Sequence, residues 1–81
     1  MKKITLTAIK KAVKSHYVLN DMKEIDRGDS IITFTRGTTA LVTFQIFGCN
    51  TNYVGWFIEG YTTYILCDWL NEIVKSLEKG G

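Results

Sequence analysis

The sequence predicts an α+β domain: an antiparallel sheet of three to four strands, preceded and followed by a helix that packs on one face, in the order α-β-β-β-α. Three observations carry this. Apolar residues recur at helical spacing near both ends of the chain, and they alternate with polar ones across the middle. Formal charge almost vanishes from that middle, with Glu59 the single charged side chain in the 31 residues from Gly37 to Cys67.

The first helix follows from Leu6, Ile9 and Val13, which line one face at i, i+3 and i+7, with Thr5 or Thr7 as its cap and an end near Ser15. Lys10, Lys11 and Lys14 fall on the remaining surface. From His16 to Ser30 the pattern is weaker: Tyr17, Val18 and Leu19 can start a strand, Asn20-Asp21 can turn or bulge it, and Met22 to Asp26 can continue it. Asp26-Arg27-Gly28-Asp29 is a turn by composition.

Ile32 and Phe34 share one face of the next strand, and Val42, Phe44 and Ile46 share one face of its partner. A two-residue loop at Gly37-Thr38 would set Phe34 against Leu41 and Ile32 against Thr43, crossing the apolar set with the polar one. An odd loop of three or five residues keeps like with like. After a loop over Gly48 to Asn52, Tyr53 to Glu59 reads as a further strand, with Val54, Trp56 and Ile58 on one side and Tyr53, Gly55, Phe57 and Glu59 on the other.

Leu66, Leu70, Ile73 and Leu77, flanked by Ile65 and Trp69, form the wide stripe of a core-facing helix, with Thr62 or Thr63 as cap and Gly80 as stop. Tyr61 to Ile65 also has strand propensity, so a fourth strand followed by a helix from Asp68 is the competing parse. The predicted core is Leu6, Ile9, Val13, Ile32, Phe34, Val42, Phe44, Val54, Trp56, Ile58, Leu66, Leu70, Ile73 and Leu77.

An 81-residue chain is too short for two hydrophobic cores, so residues 1–81 read as a single domain, and 46% hydrophobic residues suffice for one core. The stretch Ile4 to Ile9 is broken by Thr5 and Thr7 and closed by Lys10-Lys11, short of a secretory apolar segment. No run approaches the roughly 20 apolar residues of a membrane span. A cytoplasmic protein without membrane contact is expected, with Cys49 and Cys67 as reduced thiols or, if the loop carrying Cys49 folds over Cys67, as a disulfide.

Alternation sends Thr33, Thr35, Thr43, Gln45, Phe47, Tyr53 and Phe57 to the sheet face opposite the core. Exposed sheets ordinarily carry Lys and Glu, whereas interface centres are depleted of charge and enriched in aromatic residues. These seven positions are therefore the predicted partner-binding surface, with Tyr53 and Phe57 as its anchors. The partner is another protein or a second copy of the chain in a homodimer.

A second candidate is basic. Lys2, Lys3, Lys10, Lys11 and Lys14 precede any acidic residue and can form a phosphate-binding patch, although the whole chain carries only +2. The α-β-β-β-α order is similar in outline to that of the double-stranded RNA-binding domain. In that family a lysine cluster opens the second helix and grips phosphates; the corresponding positions here are Tyr61, Thr62, Thr63 and Tyr64, with no basic residue before Lys75, so the similarity is one of topology.

Catalytic and metal motifs are not evident. His16 is the only histidine, adjacent to Ser15 but outside any nucleophile signature, and it reads as a surface or strand-edge residue. Asp21, Glu24, Asp26 and Asp29 lack the spacing of a calcium loop, and one histidine without a C-x-x-C pair does not make a zinc site. The expectation is a small non-enzymatic binding module needing no cofactor. Inhibitors of host machines made by phages and mobile elements, anti-CRISPR proteins among them, are commonly of this size and plainness. A nucleic-acid-binding module using the lysines is the alternative.

Overall fold

The computed structural model describes residues 4–78, in the order α1 (Leu6–Lys14), β1 (Lys23–Asp26), β2 (Ile31–Arg36), β3 (Ala40–Phe47), β4 (Asn50–Ile58) and α2 (Thr63–Glu78). Lys2, Lys3 and the expected helix stop at Gly80 lie outside the described residues. The sheet is an antiparallel meander in which spatial order equals chain order, β1-β2-β3-β4. The α+β class is as expected, with four strands and the order α-β-β-β-β-α.

Thr5 caps α1 by accepting the Ala8 N–H at 3.1 Å, and Lys11 and Lys14 stand in its last turn, where positive charge suits the helix C-terminus. Ile9 and Val13 bury the inner side of α1 against the core, and Leu66, Leu70 and Ile73 do the same for α2. Ile32, Phe34, Val42 and Phe44 supply the middle of the sheet's inner face, where the Phe34 and Phe44 rings meet edge to face at 6.0 Å.

Residues 15–21 form a turn, not the start of a strand. His16 Nδ1 accepts the backbone N–H groups of Val18 at 3.0 Å and Leu19 at 3.2 Å, which offers the chain a local alternative to a sheet ladder. Arg36 ties this turn to the end of β2, donating to the Val18 carbonyl at 2.7 Å and through Nε to Asp21 Oδ1 at 3.1 Å. Leu19 and Met22 are thereby buried as a plug on the core, a role the strand reading missed.

The β2–β3 hairpin pairs Arg36 with Ala40, Phe34 with Val42 and Ile32 with Phe44 across a three-residue loop, the odd length that the apolar pattern requires. Gly37 opens it at φ +57°, in the left-handed region. Strand β4 starts earlier than its composition suggests: Phe47 pairs with Asn50, leaving only Gly48-Cys49 as the loop. Further along, the register shifts between Thr43 and Phe44. Thr43 faces Gly55 while Phe44 faces Tyr53, so Val54 is the extra residue of a β-bulge.

That bulge reverses two assignments. Val54, expected in the core, is 51% exposed, and Tyr53, expected on the outer face, turns inward against the core with its ring 4.8 Å from that of Trp56. Trp56, Leu6 and Leu77 reach the core as half-buried residues, and Ile4, Leu19, Met22 and Ala40 join it unexpectedly. Over Tyr61 to Ile65 the helix prevails from Thr63 on. Thr62 caps it, accepting Ile65 N–H at 3.4 Å, because burying Leu66, Leu70 and Ile73 outweighs the strand propensity of the tyrosines.

Candidate interaction surface on the outer sheet face

Both helices cover the inner face of the sheet, and its outer face carries no layer of the described chain. The pairings set that face out in rows. Lys23, Thr35, Leu41 and Phe57 lie side by side; next come Ile25, Thr33, Thr43 and Gly55; then Ile31, Gln45 and Asn52; and last Phe47 and Asn50. Lys23, on the border strand, is the one charged residue in these rows.

Phe57 at 49%, Phe47 at 56% and Val54 at 51% exposure form an apolar margin along β3 and β4, with Ile25 at 39% on the opposite border. The middle is polar yet satisfied. The Thr33 and Thr43 hydroxyls bond each other at 3.0 Å, and Thr33 is buried although no second layer lies over it, because its neighbours on three strands enclose it. A face of this kind presents methyl groups and rings, with the Thr33 and Thr43 hydroxyls at its centre already paired, so covering it strips little water from charge.

The structure thus brings together six of the seven expected residues, Thr33, Thr35, Thr43, Gln45, Phe47 and Phe57. Tyr53 is a correction: its hydroxyl donates to Asn71 Oδ1 of α2 at 2.6 Å, on the helix side. Burial raises the Tyr53 hydroxyl above its ordinary value, Cys67 beside it adds to the rise, and the Asn71 bond opposes it. Ile25, Ile31, Leu41 and Val54 belong to the face and were missed. Alternation alone places Ile31 and Leu41 there, Ile25 follows once β1 is paired, and Val54 has no signal short of the bulge.

The basic candidate is more dispersed. Lys10 Nζ lies 3.4 Å from Asp26 on β1, while Lys11 and Lys14 are exposed on α1. Ser15 and His16 do not address each other. The Ser15 hydroxyl donates to the Lys11 carbonyl at 2.9 Å, and His16 Nδ1 is occupied by two backbone N–H groups.

His16 instead belongs to an aromatic cluster at one end of the molecule. Its ring stacks on Tyr17 at 4.7 Å and meets Trp69 edge to face at 5.1 Å; Trp69 also meets Tyr17 at 5.8 Å and Tyr61 at 5.0 Å. Burial lowers the His16 pKa, with Glu72 acting in the opposite sense.

Cys49 and Cys67 are free thiols, both half-buried, and among the described residues no three His, Cys, Asp or Glu side chains cluster to hold a metal ion. Among the described residues no helix is long and apolar enough to cross a membrane. No family model, curated protein or solved structure matches this chain.

Proposed function

We propose that this chain is a non-enzymatic protein-binding module whose outer sheet face is covered by protein. The observation that supports it is the combination of an unlayered sheet face with a single charge at its border and exposed Phe47, Val54 and Phe57 along its margin. Water-facing sheets use charge to prevent association, and the centre of an interface is where charge is scarce. Such a module acts by occlusion, as an inhibitor of a larger machine does, through a surface its target needs.

The test is retention from the native cell extract by the immobilised chain, compared with Phe57→Ala and Gln45→Lys variants of confirmed fold. Retention of a specific protein, or of the chain itself, that both variants abolish and that salt leaves unchanged is the expected result. Equal retention by all three overturns the reading. So does a mobility shift of DNA or RNA that weakens steeply with salt and disappears in a Lys11→Ala, Lys14→Ala double variant, because counterion release marks phosphate contacts.

A further inference from the structure

We infer that the molecule covering the outer sheet face is a second copy of this chain, packed sheet on sheet about a two-fold axis parallel to the strands; this rests on the proposed binding role of that face and names its partner. Three properties of the face lead there.

The first is charge. A partner with charged groups would have to desolvate them against Thr, Gln and Phe, with only border Lys23 to answer. A second copy brings a surface equally free of charge.

The second is area. Four strands of four, six, eight and nine residues, about 4.8 Å apart and rising about 3.3 Å per residue, project a face of roughly 430 Å². A corrugated face has more accessible surface than its projection, so each copy approaches the roughly 600 Å² that the smallest specific interfaces bury per partner. The match is to a concentration-dependent dimer, not to a permanent one.

The third is relief. A two-fold axis parallel to the strands and midway between β2 and β3 lays β1 of one copy over β4 of the other, and β2 over β3. In the row Ile25, Thr33, Thr43, Gly55, this sets Ile25 of each copy over Gly55 of the other. Ile25 stands proud at 39% exposure. Gly55 is a dip, where an added Cβ would meet nothing within 4 Å. In the neighbouring row the same operation brings Lys23 over the Phe57 ring, a favourable cation–ring placement. An axis across the strands and through this row would instead stack Ile25 on Ile25 and leave the two dips at Gly55 facing as a void, which forfeits contact.

Sedimentation of the full chain from micromolar to millimolar concentration, with circular dichroism to verify the fold, tests the assignment. A reversible monomer–dimer equilibrium is expected. Gly55→Val fills the dip, its Cβ standing in open space, and is expected to weaken dimerisation at least tenfold, about the effect of one lost anchor contact, while leaving the monomer fold intact. Phe57→Lys, at an exposed position where it sets a second cation against Lys23, is expected to do the same, and it carries the test if Gly55→Val does not fold.

A wild-type chain that stays monomeric throughout overturns the inference, as does a dimer whose strength both folded variants leave unchanged. Weakening by Phe57→Lys but not by folded Gly55→Val overturns the strand-parallel arrangement. A monomer that still retains another protein through Phe57 and Gln45 overturns the self-pairing alone; a monomer without such retention overturns the binding role as well.

Discussion

His16 shows how one side chain replaces a stretch of secondary structure. Its Nδ1 is an acceptor for two N–H groups, so the ring is neutral and carries its proton on Nε2, which is buried and has no hydrogen-bond partner among the described residues. Because the folded chain holds His16 below the ordinary 6.5, the unfolded chain binds the proton more readily. The stability this provides is complete above about 6.5 and is lost as pH falls below it, through the lowered folded value. Thermal melts of wild type and His16→Ala between pH 5 and 8, the range in which histidine titrates, are expected to show a slope in the wild type that the variant lacks. The variant is expected to be less stable by about 1–2 kcal/mol at neutral pH, from the two lost bonds. Equal slopes would contradict the neutral capping role. None of this is visible in the sequence, where Tyr17, Val18 and Leu19 have the composition of a strand and nothing marks His16 as the acceptor for the amides that follow it.

At the scale of elements, legibility followed alternation and failed where alternation is interrupted. Ile32, Phe34, Val42 and Phe44 keep a strict period of two, and that parity alone required the odd loop at Gly37 to Thr39. In β4 the insertion of Val54 shifts every residue before it by one, so Tyr53 exchanges the outer face for the core with no local signal to announce it. Strand β1 is faint for another reason: in Lys23–Asp26 only Ile25 is apolar, and it points outward.

Two substitutions separate these faces. Tyr53→Ala removes a half-buried ring and its bond to Asn71, and is expected to destabilise by about 2–3 kcal/mol, whereas Phe57→Ala is expected to cost less than about 1 kcal/mol. Urea unfolding measures both, and the reverse ranking would sink the bulged register. Arg36→Ala is expected to speed amide exchange at Leu19 and Met22, since it releases the 15–21 turn from β2 while the ladder remains.

For the molecule as a whole, every strand pairs with its neighbour in the chain, and the longest connection between strands is the turn of residues 27–30. Low sequence separation between paired strands is expected to give folding in milliseconds with a single kinetic phase, which stopped-flow fluorescence of Trp56 and Trp69 reads directly. A rollover or a second phase of seconds would contradict it. The fold class was legible because both helices and the central hairpin are strongly patterned. The face itself was legible through its missing charge, although its membership depended on pairings that no single strand reveals.

The kink at Val54 has one more effect, on the open border of the sheet. Strand β4 is nine residues long, lies at the edge and has no charge along its length, a template on which foreign strands could stack into fibrils. The extra residue bends that border and spoils its ladder, much as short length and the charges of Lys23, Glu24 and Asp26 protect the other one. Deleting Val54 would leave each remaining pairing in place and straighten the edge, so the shortened chain should fold and then deposit as amyloid faster than its parent, with thioflavin fluorescence as the gauge.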